Sequence, residues 1–145
     1  MKTAIVYHSS HHGNTKKLVD AIAQGNDVTL IDASAQGRAD LTGYDLIGFA
    51  SGIYGWKFHR DVLRFAEENL PEGKKVFFLC TYGGRPSTKA ISEVVKAKSA
   101  VEVGQFGCQG YDTFGPFKLV GGIGKGHPDE TDLENARRFF QGLCR

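Results

Sequence analysis

The chain is expected to fold as an α/β sandwich, with one parallel sheet of five strands in the order 2-1-3-4-5 covered on both faces by helices. Three observations lead there. Five short apolar runs recur along the 145 residues, and stretches with helical spacing stand between most of them. The runs are nearly continuous in apolar residues rather than alternating, which marks strands buried on both faces and therefore a parallel sheet flanked by helices. Five strands are too few for a barrel, which needs eight, whereas an open doubly wound sheet accommodates them.

The elements follow in order. TAIVY (3–7) is short, apolar and β-branched, as a buried strand requires. From Asn14 to about Gly25 the pattern is helical, with Leu18, Val19, Ile22 and Ala23 on one face. DVTLID (27–32) is the second strand, and the polar residues 33–45 leave room for only a short helix. DLIGFAS (45–51) is the third strand. Val62, Leu63, Ala66 and Leu70 then form a helical stripe that Pro71 terminates. KKVFFLCT (74–81) is the fourth strand, and Ile91, Val94 and Val95 mark a helix from about Thr88 to Lys98. AVEVGQFGC (100–108) is the fifth strand. Leu133, Ala136, Phe140 and Leu143 mark a last helix, which a T-x-x-E capping box at Thr131 and Glu134 is expected to open. The irregular stretch 109–128 exceeds the usual loop length, which makes it functional or partly structured.

Length and composition bound the function. Residues 1–145 are expected to form a single domain. A hydrophobic content of 41% and a charged content of 23% are those of an ordinary globular protein. A net charge of +2 is too mild to imply nucleic acid, and there is no long basic run. Cys80, Cys108 and Cys144 are odd in number and widely spaced, which argues against a secreted disulfide framework and against a zinc knuckle. Cys80 and Cys108 fall near the ends of neighbouring strands, either as a redox pair or as ordinary buried thiols. The run after Met1-Lys2 is too short for a secretory core, and no stretch is apolar enough for a membrane span. A cytoplasmic protein without membrane insertion is expected.

The chemistry concentrates where strand one ends. In such a sheet, ligands bind beyond the carboxyl ends of the strands, near the point where strand order reverses, here between strands one and three. The stretch YHSSHHGNT (7–15) opens the first helix at that point. A helix N-terminus offers unpaired N–H groups and partial positive charge. Ser9, Ser10 and Thr15 add hydroxyls, Asn14 an amide, and Gly13 a close backbone approach, a set suited to a terminal phosphate. Adjacent His11 and His12 point in different directions and have no carboxylate or cysteine near in sequence, so no metal site is expected. The spacing of a nucleoside-triphosphate loop is absent.

With these residues the chain resembles the flavodoxins, and the flavodoxin-like three-layer sandwich is the fold expected. IVYHSSHHGNTKKL is similar to their FMN-phosphate loop, SGIYGW after strand three and TYGG after strand four to the two loops that grip the flavin ring. The resemblance implies FMN as cofactor. The cofactor-binding residues it implies are Ser9, Ser10, His12, Gly13, Asn14 and Thr15 in the first loop. Ser51, Gly52, Ile53, Tyr54, Gly55 and Trp56 follow in the second, and Thr81, Tyr82, Gly83 and Gly84 in the third. Tyr54, Trp56 and Tyr82 are the ring-stacking candidates, and Tyr54-Gly55 resembles the aromatic-Gly pair of the family.

The chain departs from the family at Trp56-Lys57, where many flavodoxins carry acidic residues, and in its pI near 8.4, where many are acidic. No general acid, base or nucleophile stands out. The expected function is therefore electron transfer to or from a redox partner protein, with the chemistry supplied by the flavin. His59, in YGWKFH, is similar in placement to a histidine of the flavodoxin-like protoporphyrinogen dehydrogenases. That gives a second reading, an oxidoreductase acting directly on a quinone or porphyrinogen-type substrate; otherwise His59 is a surface residue. A third reading is a binding or signalling module without flavin. A phosphoacceptor receiver is disfavoured, since strand three ends in Ser51 where an aspartate is needed.

Overall fold

The computed structural model describes residues 1–9, 13–110 and 126–144. Its elements are β1 (Thr3–His8), α1 (Asn14–Ala23), β2 (Val28–Asp32), β3 (Leu46–Tyr54), β4 (Lys57–Phe58), α2 (Arg60–Asn69), β5 (Lys75–Tyr82), α3 (Lys89–Ala97), β6 (Val101–Gln109) and α4 (Glu130–Leu143). The long strands form a parallel sheet in the order β2-β1-β3-β5-β6. With β4 set aside, this is the 2-1-3-4-5 order expected.

Sheet alternation splits the core into two layers. On one face Val6, Ile47, Phe49, Val76 and Phe78 meet Val62, Phe65 and Ala66 of α2 and Ile91 and Val95 of α3. On the other, Ile5, Tyr7, Phe77 and Leu79 meet Leu18, Val19 and Ile22 of α1 and Ala136 and Phe140 of α4. The helices pack in pairs, α1 beside α4 and α2 beside α3. Helix α3 runs only from Lys89 to Ala97 because Lys98 closes it, with its N–H on the Val95 carbonyl.

Four local expectations need correction. β3 continues past Ser51 to Tyr54 because it turns back on itself: Ile53 pairs with Phe58 and Tyr54 with Lys57 in an antiparallel hairpin. The two turn residues, Gly55 and Trp56, both have positive φ, at 56° and 71°, as a type I′ turn requires. Residues 33–45 form turns and bends rather than a short helix, with Ala33 and Leu41 buried as anchors. The capping box of α4 belongs to Asp129 and Asp132, not to Thr131 and Glu134. The acidic pair that follows Pro128 closes both reciprocal bonds two residues earlier. Finally, β6 is an edge strand, with Val101 and Val103 exposed rather than buried on both sides.

The sheet also separates the two strand-end cysteines. Cys80 stands opposite Gly107, and Cys108 stands opposite Thr81. Successive residues alternate faces, so Cys80 lies in the α2/α3 layer and Cys108 in the α1/α4 layer. They cannot bridge without unpairing the strands. Burial pushes the two thiols up to about 11 and about 12, which makes both inert at neutral pH.

Candidate functional site

The carboxyl ends of β1, β3 and β5 lie side by side, and each runs into one of the three loops singled out in the sequence. The register sets His8 against Ser51, and Gly52 against Thr81. The first and third loops are joined directly. Thr15, in the first turn of α1, places its hydroxyl 3.0 Å from that of Thr81, with both residues buried. Two hydroxyls in mutual contact use one hydrogen between them, which leaves a second to donate elsewhere.

The N-terminus of α1 is prepared for negative charge. Gly13 caps it in the left-handed conformation, at φ 67°, without a side-chain cap bond, and the first turn contains no acidic residue. A methyl group built on Gly13 would meet nothing within 4 Å among the described residues, whereas its positive φ is one that glycine adopts freely. Ser9 accepts the Lys16 N–H at 2.9 Å, which satisfies one first-turn donor and leaves the serine's own hydrogen to donate. Asn14 is buried against Gly110 at the end of β6, whose N–H is bonded to the Tyr82 carbonyl at 2.9 Å. A methyl group at Gly110 would stand 2.6 Å from Asn14 Nδ2 and 2.8 Å from its Cγ. Gly110→Ala is therefore expected to displace the Asn14 amide and weaken anion binding at this loop while leaving the melting temperature nearly unchanged. Parallel ligand titration and thermal unfolding of the variant check this.

The second loop is the hairpin. Tyr54 is half-buried, and Trp56 at the turn is 69% exposed. Lys57 stands directly opposite Tyr54 in the ladder, so their side chains share one side of the hairpin. Ser51, fully buried, ties the hairpin base to α2: it accepts the His59 N–H at 2.9 Å and donates to the Gly52 carbonyl at 2.6 Å. Beside the third loop, Tyr82, Pro86, Thr88 and Phe106 help line a cleft of 390 Å³.

A second cluster, absent from the sequence reading, adjoins these loops. The His8 and His59 rings stack at 3.6 Å between centroids, 9° from parallel. Tyr54 meets both edge-on, at 5.8 and 5.1 Å. His8 Nδ1 is hydrogen-bonded to Ser34 Oγ, and Ser34 donates to Asp61 Oδ2 at 2.8 Å. His59 is the N-cap of α2, its Nδ1 accepting the Asp61 N–H at 3.1 Å. Burial holds both histidines below their usual range, with Asp61 opposing it, and the neighbouring His8 lowers His59 further. The Ser34 hydrogen bond holds the Asp61 carboxyl below its usual range. His59 is thus a half-buried structural partner rather than a surface residue.

A flavodoxin domain model matches residues 5–114, which span all three loops. An uncharacterized protein of Methanocaldococcus jannaschii is 35% identical over 150 residues, covering 100% of this chain and 99% of that one. The chain belongs to the flavodoxin domain family. Solved structures share the fold. An oxidised Flavodoxin 2 from Bacillus cereus superposes with a TM-score of 0.68 at 21% identity, covering 99% of this chain and 98% of the other. A flavodoxin from the domain Archaea gives 0.63 at 20%, covering 94% and 92%. Rubredoxin oxygen:oxidoreductase from Desulfovibrio gigas gives 0.73 at 16%, covering 97% of this chain but 34% of that larger one.

Within this flavodoxin-family fold, Ser9, Gly13, Asn14 and Thr15 gather around the start of α1, with Thr81 against them. Ser51, Gly52, Ile53, Tyr54, Gly55 and Trp56 build the hairpin, Tyr82 ends β5, and Gly83 and Gly84 follow it. Ser10 and His12 lie outside the described residues, as does most of the 109–128 stretch. The residues that sequence reasoning missed are His8, Ser34 and Asp61. Only the His8 that opens HSSHHGNT, and an Asp two places after a histidine, pointed to them.

Proposed function

We propose that the chain is a cytoplasmic FMN-binding protein that passes electrons to or from a redox partner protein. The observation that carries this reading is the convergence of the three loops on an acid-free helix start, joined by the buried Thr15–Thr81 contact. The donor set fits the phosphate of FMN. The Ser9 and Thr15 hydroxyls, the Asn14 amide and the first-turn N–H groups of α1 would hold the dianion. Tyr54 and Tyr82 stand on the two neighbouring loops as aromatic faces for the ring. Once bound, the flavin supplies the electron transfer itself, and the chain's residues bind and orient it. Three free thiols suit a reducing compartment.

The test is reconstitution with FMN, followed by heat release and chromatography of the cofactor. FMN is expected in stoichiometric amount. Recovery of FAD, or no uptake of either flavin, overturns the reading. The cleft beside Tyr82 supports a second reading, direct action on a small quinone-type substrate. Partner-free turnover of such a substrate by the FMN-loaded protein would favour it.

The hairpin is also expected to set the lower of the two reduction potentials. Carboxylates near the ring disfavour an anionic reduced flavin; here the cation of Lys57 faces the Tyr54 side of the hairpin. Lys57→Glu with Trp56→Asp should lower the second potential, measured by spectroelectrochemical titration at one pH and ionic strength. An unchanged second potential would show that this turn does not control it.

A further inference from the structure

The stacked imidazoles have a hydrogen-bond arrangement that fixes where each ring carries its hydrogen. An ionised Asp61 only accepts, so the single hydrogen of Ser34 goes to Asp61 Oδ2. Ser34 Oγ must then accept from His8, which makes neutral His8 the Nδ1–H tautomer. In His59 the roles are reversed. Its Nδ1 accepts the Asp61 N–H, so neutral His59 is the Nε2–H tautomer. A proton added to His8 goes to Nε2 and keeps both bonds of the Ser34–Asp61 chain. A proton added to His59 goes to Nδ1 and breaks the cap of α2.

The charged surroundings work in the same direction. Asp61 from α2 and Asp32 at the end of β2 both favour a charge on His8. His59 faces Asp61 but also Arg60 and His8. Asp61 Oδ2 lies 3.8 Å from His8 Nδ1 and 3.6 Å from His59 Nδ1, close enough to balance one cation. Two cations stacked at 3.6 Å would repel each other strongly. A metal is a poorer occupant of this cluster. Near-parallel rings aim their in-plane lone pairs in parallel rather than at one ion, and His8 Nδ1 carries a hydrogen.

We infer that His8 and His59 form a site for one proton, in which His8 takes the proton and His59 stays neutral. The pair thereby places a switchable positive charge where β1 enters the first loop. The consequence for the flavin rests on the proposed function: the charge favours an electron-rich ring beside Tyr54, so His8 takes up a proton as the bound FMN is reduced. The order of protonation does not depend on that function.

The experiment is a pH titration of the imidazole nitrogens by long-range ¹H–¹⁵N correlation on the full chain, without flavin and with FMN. In the flavin-free protein, neutral His8 is expected as the Nδ1–H form and neutral His59 as the Nε2–H form. His8 is expected to titrate first, and His59 only at clearly lower pH. The variants should respond asymmetrically. His8→Gln raises the titration of His59, whereas His59→Asn, which keeps a capping side chain, leaves His8 unraised. Identical tautomers, simultaneous uptake of two protons, or equal shifts in the two variants would overturn the one-proton site. With FMN, the potential for full reduction should follow pH with one more proton per two electrons than in His8→Gln. Equal slopes would overturn the link to reduction while the order of protonation stood. Failure to bind FMN at all would instead reject the proposed function, and the flavin-free titration would still decide the proton site.

Discussion

Thr15→Ala and Asn14→Ala are each expected to weaken FMN binding by about 10- to 100-fold, while riboflavin binding changes far less. The size follows from losing one hydrogen bond to a charged group, about 1.5–3 kcal/mol. The contrast follows from position: both residues stand in the first turn of α1, in the proposed phosphate cradle. Thr15 also touches Thr81 at 3.0 Å, so part of its effect is transmitted through the third loop. Thr81→Val, which keeps the shape and removes the hydroxyl, should give a smaller loss. The double variant with Thr15→Ala should then cost less than the sum of the two. Fluorescence titration with both flavins reads all four proteins. Equal losses for FMN and riboflavin would mean that the substitutions loosen the loop as a whole rather than remove phosphate donors.

Gly48→Ala should be the most destabilising small substitution in the sheet. Gly48 is the third residue of β3, opposite Phe77 of β5. Its φ is unexceptional, so the glycine is there for space. A methyl group would stand 2.3 Å from Phe77 Cζ and 2.6 Å from Cε2, inside the ring's own volume. The ring has nowhere to retreat, since Phe139 and Phe140 of α4 pack against it at 6.2 and 6.0 Å between centroids. Overpacking of this kind costs about 1–3 kcal/mol, and more where neighbours cannot shift. Phe77→Ala should cost about 3–5 kcal/mol through the cavity it leaves. Phe77→Leu is expected to be less harmful in the Gly48→Ala background than in the wild type, because it vacates the space the methyl needs. Urea unfolding of the four proteins measures the cycle. A Gly48→Ala variant within about 0.5 kcal/mol of wild type, the spread of ordinary surface changes, would show that the ring moves freely.

The layered architecture and the location of the first loop are legible in the order of residues alone. Both depend on neighbours in the chain. Apolar runs of strand length alternating with helical stripes imply a parallel sheet, and a hydroxyl-rich turn opening a helix implies an anion site whatever surrounds it. Residue type is ambiguous where two local solutions compete closely. At α4, Asp129 and Asp132 won over Thr131 and Glu134 because they stand next to Pro128, where the helix can begin. At Gly55-Trp56 the turn needs positive φ at both residues, which a tryptophan rarely adopts, so the hairpin left little trace in residue type.

The other features arise from contacts between segments far apart in the chain. The stack of His8 on His59 joins residues 51 apart through the approach of β1, the loop after β2 and the start of α2. Ser34 and Asp61 acquire meaning only in that assembly. The separation of Cys80 from Cys108 depends on a register in which Thr81, not Cys80, faces Cys108. A shift of one residue would have put both thiols on one face, and no local pattern distinguishes the two registers. Register is set by the buried layers as a whole, which is why it and the histidine pair had to be read from packing.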